Sequence, residues 1–321
     1  VNKFERDNNL IYEKNQILVS CGAKHSLFNI AQVLWEEGDE IIVPAPYWVS
    51  YPDIIRYAGA KPVMIDTLSA NEFKITPDQI SSAMTANTRA IIINSPSNPT
   101  GSAYSKKELE GIAECALSNK LLIVSDEIYE KVVFDGFEQH SICSIGKEVQ
   151  NNSILINGVS KSYAMTGWRI GYLAANEEIV KQAGKLQGQS TSNPTSISQM
   201  ASITALNDTE ADVSQMVDEF EKRRDILLNC LLKIPIVECY KPVGSFYTFP
   251  DFSAFYGKSF KGEKIEDSIQ LANFLLEEGK VALVPGIAFG ADRNLRLSFA
   301  ASIDTIKQGV DRITKALDLL E

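Results

Sequence analysis

Short β-branched runs alternate with helix-length stretches through the first two-thirds of this chain, and no other feature restricts its possible folds so strongly. The runs lie at residues 17–21, 40–43, 61–65, 90–94, 121–125, 153–157 and 169–174. Between them, stretches such as 24–35 and 106–119 carry apolar residues at helical spacing. Thr76-Pro77-Asp78 opens another helix reaching Met84, with proline at the first helical position. Parallel strands need crossovers of about helix length, and apolar strands need cover on both faces. The pattern therefore predicts an α/β fold, three layers deep, around a mostly parallel central sheet.

The last third changes character. Residues 213–233 read as a long, charge-rich helix able to bridge two units. Short strands are expected near 237–240, 245–249, 281–284 and 295–298, with helices at 267–279 and 305–320. That describes a smaller C-terminal α+β domain. The expected division is 1–212 for the large domain and 213–321 for the small one.

Composition removes several function classes. The net charge is −10, and no basic stripe appears, which argues against a nucleic-acid partner. No apolar run is long enough for a membrane span. Five cysteines without a CxxC pair point away from a zinc site or disulfide framework and toward a reducing cytoplasm. Two histidines leave little material for a histidine-based metal cluster or triad. No metal site is expected.

Several strings carry chemistry. Lys161 follows an apolar strand within Ser160-Lys161-Ser162-Tyr163-Ala164-Met165-Thr166-Gly167-Trp168-Arg169. A lysine at a pocket mouth can lose its proton and form a Schiff base with an aldehyde cofactor; a solvated lysine is the plain alternative. Asp126, in Ser125-Asp126-Glu127-Ile128-Tyr129, stands at the carboxyl end of a strand, where open α/β sheets bind ligands. It can keep a pyridine nitrogen protonated or simply cap a helix. Tyr129 and Asn98, the latter in Asn98-Pro99-Thr100-Gly101, can both reach a phenolic oxygen of the same ring. Gly22-Ala23-Lys24 opens a helix and offers backbone N–H groups to a phosphate, with Arg169 as a charged partner. Trp48 can stack on a ring or fill a core. Arg296, inside Leu295-Arg296-Leu297, can take a carboxylate in two parallel bonds or form a structural ion pair.

Taken in order, Gly22-Ala23-Lys24, Pro46-Tyr47-Trp48, Asn98-Pro99-Thr100-Gly101, Asp126-Glu127-Ile128-Tyr129, Ser160-Lys161 with Gly167-Trp168-Arg169, and Leu295-Arg296-Leu297 resemble the class I aminotransferases, fold-type-I enzymes of pyridoxal 5'-phosphate. The resemblance spans essentially the whole chain. It implies that Lys161 holds the cofactor covalently and moves protons. It implies that Asp126 faces the pyridine nitrogen, that Asn98 and Tyr129 face the phenolic oxygen, and that Trp48 stacks on the ring. Gly22, Ala23, Lys24, Ser160 and Arg169 match phosphate-side positions, and Arg296 matches the residue that grips the substrate α-carboxylate. Trp48 and Asn98 also border the substrate. Cis bonds are implied before Pro46 and Pro99.

The strings 44–51 and 163–169 resemble most the bacterial aspartate aminotransferases called I-gamma, in which the lysine matching Lys24 helps bind a distal carboxylate. The implied activity moves an amino group between aspartate or glutamate and a 2-oxo acid, in a homodimer with shared active sites. Aromatic, alanine-type or prephenate-type substrates are the alternative. The family's N-terminal arm has no counterpart here, and the chain, which opens at Val1, is expected to lack its true N-terminus. A pyridoxal-phosphate lyase and an inactive cofactor-binding form are further rivals. A nicotinamide enzyme is disfavoured, because the first strand–helix turn lacks GxGxxG.

Overall fold

The computed structural model describes residues 1–321. Seven strands form the central sheet: β1 (Ile17–Ser20), β2 (Glu40–Ala45), β3 (Lys61–Asp66), β4 (Thr88–Asn94), β5 (Leu122–Asp126), β6 (Ser153–Gly158) and β7 (Gly171–Ala174). Their spatial order is β1-β7-β6-β5-β4-β2-β3. The pairs from β3 through β2, β4 and β5 to β6 are parallel, whereas β7 runs antiparallel to both its neighbours. Strand β1 therefore points the same way as β6, and β7 alone is reversed.

Side chains alternate between two cores, as the two-residue period of a strand requires. Ile91, Ile93, Ile123 and Leu155 enter one apolar cluster, while Ile92, Val124, Ile154 and Ile156 enter the other. All eight are buried, and each contributes about 1.5–3 kcal/mol by leaving water. Helices α1 (Asn2–Asn8), α2 (Ala23–Leu34), α3 (Ser50–Tyr57), α4 (Pro77–Ala83), α5 (Lys106–Ser118), α6 (Lys147–Asn151) and α7 (Glu177–Ser190) accompany the sheet. The expected start of α4 holds: Thr76 accepts from the Gln79 N–H, and Gln79 reaches back to the Thr76 N–H.

Helices α8 (Ser196–Asp208) and α9 (Glu210–Leu231) lead into the C-terminal part, which ends in α10 (Ser268–Glu277) and α11 (Ile303–Leu317). Its strands are short: β8 (Tyr247–Thr248), β9 (Ser259–Phe260), β10 (Glu263–Lys264), β11 (Val284–Pro285) and β12 (Leu295–Ser298). Phe252, Leu271, Leu275, Phe299 and Ile313 centre a third apolar cluster, which also takes in Val132 and Phe134 from the loop after β5. We propose to retain the division at 212, although it falls within the first turn of α9.

Three expected strands are corrected. Residues 237–240 make only an isolated bridge between Glu238 and Asp251, since Ile236 turns the chain at a positive φ of 65°. Residues 281–283 lie outside β11, because the Val281 N–H bonds back to Leu275 O at the end of α10. Residues 169–170 precede β7, and Arg169 is left-handed with φ 56°.

Candidate active site

Because β1, β2, β4, β5 and β6 share one direction, their carboxyl ends meet along a single edge of the sheet. The chain leaves β1 toward Gly22–Lys24, β2 toward Trp48, β4 toward Asn98, β5 at Asp126 and β6 toward Lys161. The reversed β7 begins on that same edge, so Arg169 arrives there just before its strand rather than after one. From the C-terminal part, β12 delivers Arg296. A cavity of ≈ 410 Å³ lies between these groups.

Four cations line the cavity, Lys24, Lys161, Arg169 and Arg296, against a single carboxylate, Asp126. Such a space suits a ligand with more than one negative group. The helix start adds to it: Ala23 and Lys24, as the first residues of α2, have no carbonyl one turn back for their N–H groups. Gly22 caps this helix with φ 93°, a backbone state that favours glycine. A Cβ there would come within 2.3 Å of the Arg169 guanidinium. Gly22 therefore makes room for the arginine but does not itself line the cavity.

Asp126 is buried, with its two oxygens engaged differently. Tyr51 donates its hydroxyl to Oδ2 at 2.6 Å, and the Ile128 N–H donates to Oδ1 at 3.3 Å. Burial pushes this carboxyl up to about 6, against the pull of Tyr51, Ile128 and the Lys161 charge. A cationic partner is what this carboxylate lacks, and a protonated ring nitrogen would supply one. Lys161 responds in the opposite direction. Burial holds its ammonium below the usual lysine range, the charges of Arg296 and Arg169 lower it further, and Asp126 opposes them. An amine so placed loses its proton more readily than a surface lysine. Burial keeps the Tyr129 phenol well above its ordinary value, so it remains a donor.

The Lys161 ammonium lies 5.9 Å from the Tyr129 ring centre, and the Lys24 ammonium 4.9 Å from that of Trp48. Asn98 is buried and accepts from Arg296 Nη1 at 2.8 Å through Oδ1, which leaves its amide N–H groups for another partner. Asn94 braces this loop: its Oδ1 accepts from the Asn98 N–H, and its amide donates to the Asp126 carbonyl, both at 2.9 Å. The bonds before Pro46 and Pro99 are cis, as is the one before Pro96.

Of the expected site residues, Ala23, Lys24, Trp48, Asn98, Asp126, Tyr129, Ser160, Lys161, Arg169 and Arg296 line one cavity, and Gly22 stands behind it. Sequence reasoning passed over Tyr51 and Tyr247, which line it too. The signal for Tyr51 was its spacing: the Tyr51 N–H bonds to the Trp48 carbonyl, so a tight turn carries both rings to the same place. Nothing local marks Tyr247, whose position depends on the pairing of β8 with β12.

The chain as a whole is similar to known proteins. Residues 1–313 match the family model for aminotransferase class I and II. An aspartate aminotransferase of Geobacillus stearothermophilus is 48% identical over 318 residues, covering 99% of this chain and 80% of that protein. A probable aspartate/prephenate aminotransferase of Rickettsia typhi is 43% identical over 321 residues, covering 99% of this chain and 80% of that protein. The crystal structure of the aspartate aminotransferase from Rhizobium meliloti superimposes with a TM-score of 0.96 at 39% identity, over 100% of this chain and 80% of that one.

Proposed function

The chain belongs to the class I and II aminotransferases, enzymes of pyridoxal phosphate, and from that premise we propose that it moves an amino group between L-aspartate or L-glutamate and a 2-oxo acid. The observation that carries this reading is the single cavity in which Lys161 and Asp126 stand among Lys24, Arg169 and Arg296. Two carboxylates and a phosphate would each find a cation there. When bound, the cofactor supplies an electron sink for the charge left at the substrate α-carbon.

The residues divide the remaining work. Asp126 would keep a proton on the cofactor ring nitrogen. Asn98 and Tyr129 would donate to its phenolic oxygen, and Trp48 would offer the ring an aromatic face. The first N–H groups of α2, with Arg169 opposite and Ser160 beside it, hold the phosphate. Arg296 grips the substrate α-carboxylate, and Lys24, near the face of Trp48, meets the distal carboxylate. The Lys161 Nζ, lowered in pKa by burial and by two guanidinium charges, takes the proton from the substrate α-carbon and returns one as general acid.

The test is the near-visible spectrum of the protein loaded with pyridoxal phosphate, before and after L-aspartate. The band of the lysine-bound cofactor should give way to that of its amine form. A band that ignores aspartate and glutamate alike would overturn the dicarboxylate reading. The similarity to the Rickettsia protein supports a second acceptor class, and prephenate should be tried in the same assay.

Two further expectations belong to this reading. Ile197, Met200 and Ile203, spaced by three along α8, are 72%, 66% and 52% exposed; such a stripe supports a homodimer, to be checked by sedimentation. The cysteine pattern supports a cytoplasmic setting. No helix is long and apolar enough to cross a membrane.

A further inference from the structure

Arg296 is held by more than its bond to Asn98. Its guanidinium carbon stands over the Tyr247 ring at 4.3 Å and over the Phe289 ring at 4.9 Å. Both rings are buried, and both are fixed from behind. Tyr247 belongs to β8, where it pairs with Ser298 of β12, two residues beyond the arginine. Phe289 ends the 3-10 turn Gly286–Phe289, and its carbonyl accepts from the Tyr47 N–H at 3.0 Å. The ring of Phe289 packs edge-on against Phe249 at 5.7 Å. The residue beside Trp48 and the residue against Arg296 are thus tied together.

We propose that Tyr247 and Phe289 act as positioning residues: their rings form a clip that sets the guanidinium of Arg296 before the substrate arrives, and so determine the affinity for the substrate carboxylate. This rests on the reading of Arg296 as the carboxylate-binding group. An arginine on a free stem must surrender several rotamers when it binds, whereas one already held gives up little. The rings attract the cation through their faces. With Nη1 bonded to Asn98, Arg296 lines the cavity and its guanidinium keeps further in-plane donors for a flat carboxylate. The flat surface of Tyr247 does this work; its hydroxyl, 3.5 Å from the Tyr129 hydroxyl, is at the limit of a hydrogen bond and is not required.

The experiment uses the loaded enzyme and succinate, an unreactive dicarboxylate, with binding read by calorimetry and turnover measured with L-aspartate. Losing one ring should weaken succinate binding roughly 5- to 20-fold in Tyr247→Leu or Phe289→Leu, the size expected of a desolvated cation–ring contact. The KM for aspartate should rise with it, while kcat falls far less. Tyr247→Phe, which keeps the ring, should bind succinate at least about fivefold more tightly than Tyr247→Leu. In an Arg296→Ala background, Tyr247→Leu should have no further effect on binding, because the ring acts through the arginine. The clip is overturned if Tyr247→Phe is as weak as Tyr247→Leu, or if the losses in the double variant simply add. It is overturned as well if kcat collapses while succinate binding holds. Wild-type enzyme that binds no succinate would instead remove the carboxylate site itself, a failure distinct from a normal site that does not need its rings.

Discussion

The two ends of the cavity are built in opposite ways. On the proposed cofactor side, Asp126 ends a strand and Lys161, Asn98 and Trp48 follow others, all of five to seven residues, whose side chains disappear into two continuous cores. On the substrate side, Arg296 sits on β12, paired with strands of two residues. The first arrangement fixes groups through a long ladder of backbone bonds. The second has almost no ladder, and it positions Arg296 by side chains: Asn98, Tyr247 and Phe289. On the proposed roles, a chemical step that needs atoms held at fixed separations is entrusted to the sheet, and a grip that needs only orientation to an aromatic pocket.

Substitutions at the two ends should therefore fail differently. The largest effect is expected for Lys161→Ala, with turnover reduced roughly 10⁴-fold or more while succinate still binds. Turnover that survives in this variant, followed as oxo-acid formation, would break the assignment of the proton-moving group. Next comes Arg296→Ala, expected to raise the KM for aspartate about 10²-fold, the cost of removing one partner of a charged, doubly bonded pair. Its cofactor band should remain, and loss of that band would show that the two ends are not separable.

A smaller change is expected of Tyr51→Phe. It removes the 2.6 Å donor from Asp126, and kcat should drop about tenfold with KM little moved, in keeping with the worth of a hydrogen bond to a charged group. A KM effect larger than the kcat effect would place Tyr51 on the substrate side instead.

The smallest concerns stability. Glu127 is buried, its Oε1 accepts from Ser125 and Ser141 at 2.7 Å, and its Oε2 has no partner. Burial pushes its carboxyl from the usual 4.5 up to about 8. It is thus neutral in the fold and ionises on unfolding, so its contribution is complete below about 4.5 and is lost as the pH rises toward about 8. Glu127→Gln has no such proton. Between mildly acidic and mildly basic pH, the melting temperature of the wild type should fall more than that of the variant, by on the order of a few °C. Parallel curves would show that Glu127 is already ionised in the fold.

The same contrast explains what could be read from the amino acids alone. The seven sheet strands were legible because runs such as Ile91–Ile93 and Ile154–Ile156 are short, largely β-branched and apolar on both faces, a pattern that suits a sheet covered on both sides. In the C-terminal part the strand expected at 237–240 did not form and that expected at 281–284 kept only Val284, since a short apolar run suits a turn or a helix end equally well. Asp126, Asn98 and Lys161 announced themselves by position after a strand. Tyr51 did not, because an aromatic residue near an apolar run is ordinarily core and only the fold shows its hydroxyl turned to a carboxylate. Tyr247 and Phe289 were hidden for a stronger reason. They meet Arg296 through pairing and a distant turn, and local spacing holds no trace of either.

The reversed strand β7 has a consequence for how the protein is made. It is inserted between β6 and β1, so that Ser20 is paired with Gly171 across most of the large domain's length. The turn at Gly22 has its neighbour Arg169 only when that pairing exists. During synthesis from the N-terminal side, the corner at Gly22 therefore stays open until Gly171 has left the ribosome, after Lys161 has already emerged. A nascent chain therefore cannot bring Arg169 to the Gly22 turn ahead of Lys161.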